Sequence, residues 1–257
     1  MSDCYIVRHG GTVAGGNGFP EFTYSGNYTL LDDGTEEGVQ NFRLKLLTSG
    51  TLRFSSLGSA GKGIDVFLVG GGGNGWLGDY GGGGGSGYTN TVSNLVLEVD
   101  KDYEIIIGGS AGATSAFEQT ANQGGNGGAC PTNASGRHGG SGASGGGSRS
   151  GVGGMDGADG GNSKVTYDWS TGAAYNHYGG SGQGTTTREF GEETGDLYAS
   201  GGSGYYAVAP AEGGGGQGAH YGSAAGTANT GGGGGGGAGG YGGSGIVIIR
   251  NHREVSA

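Results

Sequence analysis

The sequence predicts a mainly β protein: a jelly-roll-like β-sandwich carrying a large inserted bundle of polyglycine II helices. Three observations lead there. Short alternating or wholly apolar runs, separated by turn residues, fill the chain from about residue 21 to residue 107 and return at 246–250. Between them, from Gly108 to Gly245, 49 of 138 residues are glycine and side chains large enough to build a core are sparse. Sustained 3.6-residue apolar periodicity is missing, apart from a weak patch at 35–47 that reads better as a hairpin.

The strand segments come in order as EFTYSGNYTLLDDG (21–34), VQNFRLKLLTSG (39–50), TLRFSSLG (51–58) and IDVFLV (64–69). In FRLKLL, strict alternation puts Phe42, Leu44 and Leu46 on one face and Arg43 and Lys45 on the other. Asp33-Gly34 and Ser49-Gly50 supply turn chemistry. YTNTVSNLVLEVD (88–100) and YEIIIGG (103–109) follow as further strands, and GIVIIR (245–250) is as apolar as any of them. A single buried strand has no partner near it in sequence, so this last run is expected to return to the first sheet. The expected organisation is an anchor at 1–20, a sandwich of 21–107 with 246–250 that includes a first glycine rod at 70–87, and an insertion at 108–245.

The run IDVFLVGGGGNGWLGDYGGGGGSG begins like a nucleotide-binding site, because Gly70, Gly72 and Gly75 have the spacing G-x-G-x-x-G. That motif requires the glycines to open a helix whose amides hold a pyrophosphate. More glycines follow instead, each costing a helix about 0.8–1 kcal/mol relative to alanine. The expected acidic ribose ligand is absent too, since Glu98 comes too late. No cofactor is expected.

Composition narrows the options. Glycine accounts for 73 of 257 residues, against about 7% in ordinary proteins. With three prolines, and glycines in runs rather than at every third place, the chain is not collagen-like. Fourteen tyrosines and seven phenylalanines argue against simple disorder. A net charge of −10 without a basic cluster argues against a nucleic-acid partner. No apolar run is long enough for membrane insertion, and the N-terminus lacks a signal-peptide core, so synthesis in a host cytoplasm is expected. Cys4 and Cys130 are too few for a disulfide framework.

An ordered segment of 138 glycine-rich residues needs regular structure, and polyproline II geometry is the one that glycine permits, at three residues per turn and about 3.1 Å per residue. Such rods make no internal hydrogen bonds, so buried ones must bond to neighbours. Glycine lets backbones approach that closely. Its entropy cost, about 0.5–1 kcal/mol each, or roughly 25–50 kcal/mol for 49 glycines, demands an extensive lateral lattice. Rods are expected at 70–87, 124–128, 139–147, 151–161, 179–184, 201–204, 213–218 and 231–245, the last spanning about 46 Å if straight.

The order GIDVFLVGGGG…GGGGGSGYTNT, YEIIIGG, TREFGEETGDLYASGG, GTANTGGGGGGG and GGSGIVIIR resembles a glycine-rich domain of structural proteins in bacteriophages and prophages of Gram-positive bacteria. The architecture is similar to the polyglycine-helix adhesins of T-even-like tail fibres and to the glycine-rich region of anaplastic lymphoma kinase. The strand–insert–strand order is closer to the latter, and the attachment motif of the T-even adhesins is absent. The resemblance implies a non-enzymatic tail or virion surface protein that displays loops for host attachment, located on the virion among other virion proteins. A capsid decoration or structural fibre protein without receptor binding is the alternative. A homo-oligomer, a trimer by analogy with such sandwiches, is also an expectation.

The candidate ligand-binding residues are the aromatic side chains of the connectors: Tyr167, Trp169, Tyr175, Tyr178, Tyr198, Tyr205, Tyr206 and Tyr221. Tyr and Trp give large contact area at low entropic cost and stack on sugar rings, so a host surface glycan or protein is the expected partner. The same residues could instead cap the bundle's ends or pack against a neighbouring subunit. YIVRHGGT (5–12) resembles the histidine phosphatases, but His138, His177, His220 and His252 are scattered among glycine segments and the α/β scaffold is lacking. No metal is expected: no His or Cys pair has zinc spacing, and Glu189, Glu192, Glu193 and Asp196 read as a solvated acidic connector.

Overall fold

A computed structural model describes residues 6–13, 18–78, 80–128, 138–167 and 174–253, with side chains placed outside 6–13, 164–167 and 174–176. No α-helix occurs among the described residues; two short 3-10 turns lie at Gly58–Lys62 and Glu189–Gly191. The strands are β1 (Ile6–Val13), β2 (Glu21–Glu36), β3 (Val39–Leu46), β4 (Gly50–Ser56), β5 (Ile64–Val69), β6 (Thr89–Leu95), β7 (Asp102–Ile106), β8 (Thr114–Ala116), β9 (Gln119–Ala121), β10 (Ser163–Tyr167), β11 (Ala174–His177) and β12 (Ile246–Asn251).

Nine of them form one antiparallel path, β6-β5-β12-β3-β2-β4-β7-β8-β9, with β1 added against β2. The ends of the path approach each other: Tyr88 N–H donates to Asn122 O at 2.8 Å and the Asn90 side-chain amide to Thr120 O at 3.2 Å. The sheet is therefore nearly closed and barrel-like, where the sequence had suggested two stacked layers. Strand count and alternation do not separate these forms, because both bury one face. β2 makes the corner, facing β4 through Glu21–Tyr24 and β3 from Tyr28 onward. At the bend, a Cβ on Gly26 would lie inside 3 Å of the Thr48 and Ser49 carbonyl oxygens.

Alternation is obeyed in β3, whose inner face is apolar and whose outer face carries Arg43 and Lys45. Phe42, Leu44 and Leu46 are fully buried in the barrel with Phe22, Tyr28, Phe54, Leu52 and Ile105. The apolar runs of β5 and β12 have a different cause. Val66, Leu68, Val247 and Ile249 point into the barrel, whereas Phe67, Val69, Ile246 and Ile248 face outward under Ala143, Tyr198 and Ala199. Both faces are covered, so both must be apolar. The expected pairing of the C-terminal run with the first sheet is present: Ile248 sits opposite Lys45 on one side and Phe67 on the other.

Two local expectations change. Asp33-Gly34 is a bulge within β2, with Gly34 at φ 85°, and the β2–β3 turn falls at Glu37-Gly38. The sheet also continues past Ile107 through β8 and β9, inside the stretch that the sequence had assigned to the insertion.

The glycine segments leave from one end of the barrel, where β5 runs into Gly70 and Gly245 runs into β12. Their backbone bonds repeat every third residue. Gly70, Gly73 and Trp76 donate to Tyr88, Gly85 and Gly82; Gly72, Gly75 and Gly78 donate to Gly243, Gly240 and Gly237; Gly71 and Asn74 accept from Gly124 and Gly127. One segment thus faces three neighbours in rotation. A Cβ on Gly75 would sit inside the Gly235 carbonyl. The stretch 231–245 is a hairpin rather than a straight 46 Å rod, since Gly243 N–H reaches back to Gly232 O and Gly240 N–H to Gly235 O. Gly70–Gly87 is likewise a hairpin, turning after Leu77. Doubling back gives each arm a bonding partner at once, which a lone rod lacks.

Candidate functional site

The far end of the glycine segments gathers a group of exposed aromatic and apolar side chains. Backbone contacts assemble it. Leu77 bridges to Gly237 and Ala238, Tyr205 N–H donates to Gly81 O at 3.0 Å, and Ala219 N–H donates to Gly236 O at 3.1 Å. These bonds bring turns near 77, 205, 220 and 238 to one tip, although the sequence separates them widely.

The rings form a continuous ladder. Tyr205 lies at the centre, 3% exposed, with ring centroids of Tyr80 at 5.2 Å, Tyr206 at 4.0 Å and His220 at 5.6 Å. His220 carries Tyr221 at 3.9 Å, and the Arg149 guanidinium lies 3.8 Å from the Tyr80 ring centroid. The Tyr205 hydroxyl donates to the Tyr206 hydroxyl at 3.2 Å. Around this buried centre, Tyr206 is 69% and Tyr221 85% exposed, and Trp76, Leu77 and Val208 add apolar surface. Tyr206 adopts φ 67°, a left-handed conformation costly for a bulky side chain, which turns its ring outward over Tyr205.

The predicted binding residues therefore separate. Tyr206 and Tyr221 meet at the tip, with Tyr205 beneath them as support rather than contact surface. Tyr178 is exposed and stacked on His138 with 5.8 Å between centroids, outside the ring ladder, with the His138 carbonyl against Gly82. Tyr198 is buried against Phe67 at 5.6 Å, because the outer face of β5 offers an apolar surface to cover. Tyr167 and Tyr175 lie in the β10–β11 hairpin with undescribed side chains, while Trp169, Cys4 and Cys130 lie outside the described residues. Trp76, Tyr80, Arg149 and His220 were missed from sequence, since they punctuate glycine runs singly rather than in clusters.

The connector TREFGEETGDLY, read as a solvated acidic stretch, is instead clasped to the barrel. Glu189 is 1% exposed and pairs with Arg43 at 3.0 Å and Lys45 at 3.3 Å; Asp196 also pairs with Lys45, and Glu192 pairs with Arg250 at 2.7 Å. Phe190, at φ 56°, packs on Phe67 and lies under the Arg250 guanidinium, 4.1 Å from its ring centroid. The alternation of β3 placed Arg43 and Lys45 on this outer face, so their charges receive the connector. Burial works to lower Lys45, but Tyr198, Glu189 and Asp196 outweigh it and hold the ammonium well above its usual range. Burial pushes the Tyr198 phenol up to about 12, against the opposing pull of Lys45.

Beside the clasp, Asp65 accepts from Arg250 Nε at 3.1 Å and Asn94 N–H at 3.0 Å, with His252 Nδ1 at 2.7 Å. A cleft of about 650 Å³ opens here, lined by Asp65, Ser93, Glu192, Arg250 and His252. Its central charges are already bonded to one another, which marks it as a structural joint between strands and connector. Among the described residues, no group of three or more His, Cys, Asp or Glu could hold a metal ion. No helix of the described residues is long and apolar enough to cross a membrane.

A family profile described as a glycine-rich domain matches residues 48–252, and the chain belongs to that family. No curated protein and no solved structure matches it.

Proposed function

We propose that this glycine-rich domain protein is a non-enzymatic surface component of a bacteriophage particle, a tail or virion adhesin that displays its aromatic tip for attachment to a host surface. The glycine segments are read as polyglycine II rods. The period-three bonding of residues 70–78 supports that reading, because a threefold helix presents every third amide to the same neighbour. So does the close approach of backbones at glycines such as Gly75 and Gly202, where any side chain would strike a carbonyl.

The observation that carries the adhesin reading is the tip itself: Tyr206, Tyr221, Trp76 and Leu77 exposed at the end of a backbone-bonded scaffold. Exposed apolar groups clustered in this way mark contact surfaces more often than they occur by chance. A barrel with a rigid extension also separates an attachment end from a contact end. Residues 1–20 are the proposed link to the particle, with β1 laid along β2. The fit to phage proteins rests on the order of strand and glycine segments described above.

Electron microscopy of particles carrying a gold-labelled copy of the protein, together with adsorption of the purified chain to host cells, tests the proposal. Label at the tail or an exposed fibre with saturable adsorption is the expected result. Label on the capsid with no adsorption would replace it by a decoration role.

A further inference from the structure

We infer that the tip takes an uncharged carbohydrate, with sugar rings lying on the exposed faces of Tyr206 and Tyr221; this rests on the adhesin reading and names its ligand class. The first argument is charge. Of the residues at 74–84, 147–152, 203–208, 217–224 and 234–241, two carry a full charge at neutral pH, Asp79 and Arg149, one of each sign, on a chain whose net charge is −10. The Arg149 guanidinium already lies against the Tyr80 ring. Segments with one charge of each sign and no net charge give an ionic ligand little to pair with, whereas a neutral, hydroxyl-rich molecule needs no counter-charge.

Shape gives the second argument. A protein partner gains most by burying an aromatic or arginine anchor in a central pocket. The centre of this cluster is already filled by the chain's own Tyr205, enclosed by Tyr80, Tyr206 and His220. What remains for a ligand is a set of ring faces with polar edges: phenol hydroxyls, the Trp76 indole N–H and the exposed Gln217 amide. A pyranose has the same division, with C–H groups on its faces and hydroxyls around its rim. Aromatic faces receive the former and the polar edges receive the latter.

Preorganisation is the third. Tyr206 is held by its backbone conformation, by the ring of Tyr205 and by the hydroxyl bond at 3.2 Å, while Tyr221 is held against His220. Little side-chain freedom is left to lose on binding, which matters for ligands whose individual contacts are weak.

The test uses the full chain in two arms. In the first, the protein is applied to an array of immobilised neutral and anionic oligosaccharides. In the second, its adsorption to bacterial cells is measured before and after periodate oxidation, and before and after protease treatment. Each is repeated with Tyr206→Ala, Tyr221→Ala and, as an exposed control on the barrel just after β6, Val96→Ala, after confirming unchanged thermal unfolding. Binding to neutral glycans, weakened about tenfold by either tip substitution and unchanged by the control, is expected. Adsorption should be lost to periodate and survive protease. Adsorption lost to protease and not to periodate would overturn the carbohydrate inference while leaving the adhesin reading standing. Array binding that needs Tyr206 and Tyr221 without cell adsorption would do the reverse. Preference for anionic glycans, or no array binding at all, would also overturn the inference.

Discussion

Gly75→Ala is the sharpest test of how the glycine segments are held. Gly75 N–H donates to Gly240 O at 2.9 Å, and a methyl group on its Cα would fall within the carbonyls of Gly235 and Gly234. Both obstacles are backbone, so no side-chain rotation can relieve them. Overpacking costs about 1–3 kcal/mol, and separating a buried amide from its acceptor costs about 1–3 kcal/mol more. Against this, alanine stiffens the unfolded chain by about 0.4–1 kcal/mol. The net expectation is destabilisation by roughly 2–5 kcal/mol. Gly109→Ala is the matched control, because nothing lies within 4 Å of its Cβ position; there only the unfolded-state term acts, and stability should hold or rise slightly. Urea unfolding of both variants followed by circular dichroism measures the difference. Equal midpoints for the two would refute the reasoning, since they would mean that the segments move apart at no cost.

Three further outcomes follow from the clasp and the sheet. Glu189→Ala removes the buried carboxylate between Arg43 and Lys45, which keep Asp33 and Asp196 as partners, and should cost about 1.5–3 kcal/mol in urea unfolding through the lost charged hydrogen bonds. Burial pushes the Asp65 carboxyl up, but the bonds from His252, Asn94 N–H and Arg250 outweigh it and hold its pKa below the usual carboxylate range. Asp33, bonded to Arg43 and Arg253, is depressed in the same way. Depressed carboxyls contribute stability above their unfolded pKa of about 3.9 and lose it as pH falls through the folded value. The melting temperature should therefore fall below about pH 4, and a stable Asp65→Asn variant should show a shallower acid limb. Removing residues 246–257 takes away a strand buried on both faces between β3 and β5, and the product should be insoluble or lack the β circular-dichroism signal.

The barrel was legible where local sequence and burial agree. FRLKLL alternates because β3 has one apolar face, and IDVFLV and GIVIIR do not because both of their faces are covered. Closure of the sheet was not legible, since contacts such as Asn90 to Thr120 leave no periodic trace. Glycine content revealed the close packing of backbones but not the hairpins, which depend on single turns such as that near Gly239, at φ 74°. In the site, Tyr206 and Tyr221 were found by residue type alone. Tyr198 and Tyr205 look the same in sequence, yet both are buried because apolar neighbours far along the chain close over them. The acidic connector was misread for the same reason: Glu189 meets Arg43 across 146 residues, and no local signal records that meeting.

The central claim is that the glycine segments form an ordered lattice bonded from backbone to backbone. Amide hydrogen exchange at Gly73, Gly84, Gly202 and Gly234, each donating to a glycine of another arm or segment, measures it directly. The account predicts protection approaching that of β5 and β12. Exchange at the rate of a free peptide at these amides, with β5 still protected, would contradict it.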